Sequence, residues 1–238
     1  MRFPVRLPRA TRWLCAPALA LLVAWSDSRA QAGVREMDVL ASDGVRLPAT
    51  YWSPGKPGPG ILLLHQCDMT RRAWTELGAA LAARGVHVLT FDYRGYGDSP
   101  AGARERLDPD IDAALATLVA SDGVDSTRLA AGGASCGVRN AVELARRSGR
   151  IDALLLLSGP TPDAGLAWLR AHATTPIFAA ASATEDFAVQ SLQKVVATSS
   201  SAATTMRVVR APGHGVPMFA ADSTLMPAIV DWVARVLR

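Results

Sequence analysis

The chain has 238 residues, half of them hydrophobic, which is enough to bury one full core and too little for two large domains. Its formal net charge is +4, but five Arg and one Asp fall within residues 1–32, leaving 20 basic and 20 acidic residues over 33–238. That balance gives no support for nucleic acid or an anionic membrane surface as partner, since those contacts rest on clustered Lys/Arg.

In chain order, the first segment reads as an export signal. Arg2, Arg6, Arg9 and Arg12 precede an apolar run from Trp13 to Trp25, and a polar stretch ends in Ala30-Gln31-Ala32, small residues of the kind a signal peptidase cuts after. The run contains Pro17 and is shorter than the ~20 residues of a membrane span. An uncleaved anchor is the alternative. Cys15 lies inside the run rather than after it, which does not suit lipid attachment. The expected division is a signal peptide at 1–32 and a single domain at 33–238. The mature protein would be exported, periplasmic or secreted, with no membrane contact after cleavage, and its Cys67 and Cys136 would sit where disulfides persist.

Beyond the signal, MDVLAS and VRLPATYW around Asp43-Gly44 read as a hairpin. GILLLH (60–65) is a continuous apolar run suited to a strand buried on both faces. A helix is expected over 72–84, then the strand VHVLTFD and the turn-rich YRGYGDSPAG. DPDIDAALATLVAS, acidic at its start and apolar at helical spacing, predicts a helix. The pattern then repeats: LAAGG strand, VRNAVELARR helix; IDALLLLS strand, AGLAWLRAH helix; PIFAAAS strand, FAVQSLQKVVAT helix; MRVVRAPG strand, LMPAIVDWVARVL helix. A leading hairpin followed by six strand–helix units argues for an α/β fold with a mostly parallel eight-stranded sheet and helices on both faces. Sites in such sheets lie at the carboxyl ends of the strands. His65-Gln66-Cys67, Asp92, Ser135, Glu185-Asp186 and His214 all fall there.

Gly133-Ala134-Ser135-Cys136-Gly137 fits G-x-S-x-G between a strand and a helix. A nucleophile on so sharp a turn needs small residues two before and two after it. Ser135 has Gly133 and Gly137 at those places; Cys136 would have Ala134 and the β-branched Val138. Ser135 is therefore the candidate nucleophile. A serine needs a base and a carboxylate to orient it. His214, in a Gly-flanked loop after the last strand, is the candidate base. His87 lies within a strand, His172 ends a helix, and His65 ends the first buried strand. Asp186 is the candidate acid with Glu185 in reserve, both following the penultimate strand; helix capping is the alternative role for either.

With LLLHQCDMTRRAW, FDYRGYGDS, GASCG, ATEDF and APGHG in this order, the sequence resembles the α/β-hydrolase superfamily over essentially all of 33–238, most of all its compact dienelactone-hydrolase-like and serine esterase branches. The resemblance implies the α/β-hydrolase fold and a serine hydrolase reaction on a small-molecule ester-type substrate. It assigns Asp92 and Arg94 to holding loops beneath the site. It also places one oxyanion-hole donor at the backbone N–H of Cys136 and the other at Cys67, with Gln66 in reserve. Relatives usually carry His-Gly where this chain has His65-Gln66. Because both remaining cysteines then fall on oxyanion-hole residues, a Cys67–Cys136 disulfide is expected to fasten them; two small buried thiols packing under the site are the alternative. Only some fifteen residues separate LLLLSGP from PIFAAAS, where larger relatives insert a cap, so no cap domain is expected. Trp74, Met218 and Phe219 are expected near the site, as walls of an acyl pocket or as ordinary packing. No metal and no cofactor is expected: no His/Cys/Asp cluster has ligand spacing and there is no nucleotide loop. Lactone, thioester or peptide hydrolysis by the same triad, or a non-catalytic binding protein keeping the fold, are the competing functions.

Overall fold

A computed structural model describes Met1 and residues 32–102 and 104–238 of the chain. The expected export signal therefore lies almost wholly outside the described residues. Among the described residues no helix is long and apolar enough to cross a membrane.

The elements run β1 (Gly33–Leu40), β2 (Arg46–Ser53), β3 (Gly58–Leu64), a 3-10 turn (Arg71–Trp74), α1 (Thr75–Ala83), β4 (His87–Phe91), a second 3-10 turn (Arg104–Arg106), α2 (Leu107–Val119), β5 (Val124–Ala134), α3 (Cys136–Ser148), β6 (Ala153–Leu157), α4 (Asp163–Ala171), β7 (Ile177–Ser182), α5 (Asp186–Val196), β8 (Thr205–Val209), α6 (Met218–Ala221) and α7 (Leu225–Val236). All eight form one sheet in the order β1-β2-β4-β3-β5-β6-β7-β8. The pairs β1/β2 and β2/β4 are antiparallel and every other pair is parallel. Only α4 intervenes between β6 and β7, so no cap is inserted there.

The continuous apolar runs serve both faces of the sheet, since side chains alternate along a strand. Leu62, Leu64, Leu154 and Leu156 pack with Ile111 and Leu118 of α2, Val138 and Val142 of α3 and Leu192 of α5. Ile61, Leu63, Leu155 and Leu157 pack on the opposite face with Leu77 and Leu81 of α1 and Ile229 and Val233 of α7. At ~25 cal/mol per Å² each such fully buried side chain contributes roughly 1.5–3 kcal/mol.

The strand order reverses beside β3: the chain leaves β3 towards β4 on one side and returns to β5 on the other. Loops from such a switch point diverge and leave a crevice at the carboxyl ends. The ends of β3 and β5, carrying Cys67 and Ser135, are the ones that meet there.

The loop after β4 is tied down by charge. Arg71 donates its backbone N–H to Asp92 Oδ1 (2.7 Å) and its guanidinium to Asp92 Oδ2, while Asp98 N–H donates to the same carboxylate (2.9 Å). Asp92 has no exposure and Arg71 is 5% exposed. Arg94 grips Asp110 through two bonds, of 2.7 and 2.8 Å, and reaches Asp43 at 2.8 Å. Both residues thus bond to scaffold groups.

Candidate active site

The turn from β5 into α3 pivots on Ser135, whose φ of 53° and ψ of −119° are strained for a residue with a Cβ. Such a conformation costs about 1–3 kcal/mol and persists where the surroundings enforce it. The enforcement is visible: Ser135 N–H donates to Leu157 O (2.8 Å) on β6. A Cβ on Gly133 would collide with the carbonyl of Gly137, and one on Gly137 with the carbonyl of Leu64. Both flanking positions therefore have to be glycine, and Ser135 and Cys136 are left half-buried at the tip.

The loop after β8 brings His214 to the same corner. A Cβ on the next residue, Gly215, would lie 3.1 Å from the Cβ of Ala134, which immediately precedes Ser135. His214 Nδ1 lies 2.5 Å from Glu185 Oε1, with side chains 44% and 25% exposed. In the neutral ring Nδ1–H donates to the carboxylate and Nε2 keeps its lone pair as acceptor, the tautomer a general base requires. No hydrogen bond joins Ser135 Oγ to His214 among the described residues; the side-chain partner of His214 is Glu185.

Glu185, rather than Asp186, is the carboxylate that meets His214. Asp186 opens α5 and is exposed. The reason lies in the turn: Glu185 N–H donates to Ser182 O (3.0 Å), folding the chain back at the strand end before the helix begins. Glu185 Oε2 is buried with no partner among the described residues, so the carboxylate serves His214 alone.

The other histidines are otherwise engaged. His65 is fully buried, stacked on Tyr93 at 3.8 Å between ring centroids, and its Nε2 accepts the Tyr93 N–H (3.1 Å). Its Nδ1–H therefore donates to Gln66 O (2.8 Å), and burial holds its pKa below the usual histidine value. His87 begins β4, at the far end of the sheet, where Nδ1 accepts from Tyr51 Oη (2.6 Å). His172 stacks on Trp168 behind α4.

Cys67 and Cys136 are joined by a disulfide, with Cα atoms 5.9 Å apart. The bridge ties the loop after β3 to the first residue of α3. Neither backbone N–H donates to another protein group among the described residues. Trp74 and Met218 have no exposure and belong to the core face shared by α1 and α7, which makes them packing residues rather than pocket walls. Phe219 is partly exposed, its ring 6.4 Å from that of Trp74.

The sequence reading missed the side chain of Gln66. Its Oε1 accepts the Val216 N–H (3.0 Å) and its Nε2 donates to Asp68 Oδ1 (2.8 Å). The one local signal was the bulky amide standing where relatives carry glycine.

Comparison with known proteins agrees with this architecture. The family model for the alpha/beta hydrolase fold matches residues 59–210, from β3 to just past β8. An uncharacterized protein of Mycobacterium tuberculosis, found in two strains, is 38% identical over 129 residues, covering 53% of this chain and 45% of its own length. The chain thus spans about half the length of the curated relatives it matches. A Pyrococcus furiosus esterase superposes with a TM-score of 0.67 at 16% identity, over 87% of this chain and 92% of its own. A cold-adapted esterase from an Arctic intertidal metagenomic library gives 0.64 at 21% identity, over 86% and 94%. At these identities the likeness is one of fold, and no single branch is singled out. With the matched segment covering more than half of its length, the chain belongs to the alpha/beta hydrolase fold family.

Proposed function

We propose that the protein is a serine hydrolase that cleaves carboxylic esters of small or exposed substrates through an acyl-enzyme. The observation that carries the reading is the His214–Glu185 contact, which leaves Nε2 as the free acceptor at the corner where the strained Ser135 turn presents its hydroxyl. Ser135 Oγ attacks the ester carbonyl carbon as its proton passes to His214 Nε2. The oxyanion is received by the N–H groups of Cys67 and Cys136, donors of a kind worth about 3 kcal/mol each in the transition state. The C–O bond to the alcohol breaks, and the leaving oxygen takes the proton from His214. Water then repeats the sequence on the acyl-enzyme, giving its proton to His214 and releasing the acid and Ser135.

The half-buried tip and exposed base, with only α4 where a cap would be inserted, favour substrates that present their carbonyl openly over interfacial lipids. We place the mature enzyme outside the cytoplasm, periplasmic or secreted. The basic start and apolar run of residues 1–32 and the Cys67–Cys136 bridge support that placement.

A fluorophosphonate probe tests the chemistry. Wild type should be labelled and Ser135→Ala should not; a well-folded wild type that takes no label would overturn the proposal. A panel of short and long acyl esters, thioesters, lactones and amides then identifies the preferred bond, and esters of short acids are expected to lead.

A further inference from the structure

Gln66 is 1% exposed and both ends of its amide are engaged: Oε1 meets Val216, 150 residues away in sequence, and Nε2 meets Asp68, two residues on. Val216 supplies an N–H, so the amide atom facing it has to be the carbonyl oxygen. The amino group then faces the carboxylate of Asp68, its complement. The fit is close enough that a Cβ at Gly215 would strike Gln66 Oε1, and Gly215 also holds a φ of +65° that favours glycine. The residue just before this glycine is His214, and the residue just after Gln66 is Cys67, bridged to Cys136. One side chain therefore pins the loop of the base to the loop of the oxyanion donor.

Resting on the function proposed above, we propose that Gln66 is a positioning residue: it holds the His214 loop at a fixed separation from the Cys67 and Cys136 donors. His214 has two constraints in this scheme. Glu185 orients the ring, and Gln66 locates the backbone that carries it. A glycine in place of Gln66 could supply the turn but not this second constraint. Base and oxyanion donors have to act on the same carbonyl at once, and a displacement of about 1 Å between such groups can cost ~100-fold in rate.

The test compares wild type with Gln66→Met, which keeps the volume and removes both bonds, and with the pair Gln66→Glu/Asp68→Asn. The pair keeps an acceptor for Val216 and reverses the partners at the far end. Gln66→Met should lower kcat roughly 10- to 100-fold with KM for a small ester changed less than about threefold. In the same variant the Val216 amide should lose its protection from hydrogen exchange, and the low-field proton resonance of His214 Nδ1 should broaden. The swapped pair should recover kcat to within about threefold of wild type, together with the protected amide. A folded Gln66→Met with wild-type kcat or a protected Val216 amide overturns the proposal. So does a folded pair no faster than Gln66→Met or, should that variant not fold, one about tenfold or more below wild type. The exchange and resonance measurements need no turnover. A wild type lacking esterase activity but losing Val216 protection on Gln66→Met would therefore refute the enzyme reading and leave the clamp standing.

Discussion

His214 Nδ1 and Glu185 Oε1 stand 2.5 Å apart, and the second oxygen of that carboxylate is buried without another donor among the described residues. A carboxylate so placed has one recipient for its charge, the imidazole, and in the proposed mechanism it would stabilise the imidazolium formed when His214 accepts a proton. Glu185→Gln should lower kcat roughly 10²- to 10⁴-fold, because an amide can hold the wrong tautomer of His214. Asp186→Asn, changing an exposed residue one position on, should stay within about threefold of wild type. Steady-state ester hydrolysis of the two variants decides between them; the opposite ranking would return the acid role to Asp186.

Arg71 is the sole cation on the fully buried Asp92 among the described ion pairs. Arg71→Met should destabilise the protein by about 3–5 kcal/mol, since it leaves a carboxylate inside the protein with no counter-charge. Replacing the exposed Arg72, which pairs with the exposed Asp98, should cost no more than about 1 kcal/mol. Urea unfolding measures both. A small loss for Arg71→Met would mean that backbone N–H groups alone satisfy Asp92.

Burial holds the imidazoles of His65 and His87 below the ordinary histidine range. For His65 the geometry adds to this, because protonating Nε2 would set its proton against the Tyr93 N–H. The unfolded chain then binds protons that the folded chain refuses once pH falls below the unfolded value of about 6.5. The stability these groups provide is complete above that pH and is lost progressively between it and their lower folded values. Urea midpoints should therefore fall between about pH 7.5 and 5.5, before most carboxylates titrate. A midpoint that is flat or rises across this window would refute the assignment.

Intact mass of the unreduced, denatured protein should lie about 2 Da below that of the reduced chain, and neither Cys67 nor Cys136 should alkylate before reduction. The Cys67→Ser/Cys136→Ser double variant should lose roughly 2–4 kcal/mol of stability. Its kcat should fall more than its KM rises, as expected when donors used in the transition state become less firmly held. Two thiols that label at once in the unreduced protein would contradict the bridge.

The strands β3, β4, β6 and β7 were legible because each is a short apolar run buried on both faces, and the Ser135 turn because sterics demand glycine at two fixed offsets. The Glu185–Asp186 register was not legible. It depends on a turn closing at Ser182, and two adjacent carboxylates carry no sequence mark of which one that turn directs inward. The start of α3 at Cys136 was likewise hidden, since Gly137 and Val138 are poor helix formers and the sharp turn imposes the helix on them. The partnership of Gln66 with Val216 joins loops far apart in the chain, and no local pattern encodes such a contact. The burial of Trp74 and Met218 depends on how α1 and α7 come together, which their own neighbours in sequence do not reveal.

The Cys67–Cys136 bridge spans 69 positions and encloses α1, β4, α2 and β5 in one covalent ring. Its effect reaches beyond the native molecule. In the denatured oxidised chain the loop after β3 and the Ser135 turn cannot drift apart, and closing so long a ring removes about 4 kcal/mol of conformational freedom from that ensemble. The unfolded protein thus already holds together the two loops at which the proposed chemistry would take place. The loops of Glu185 and His214, both outside the ring, are the parts that have to find their way home.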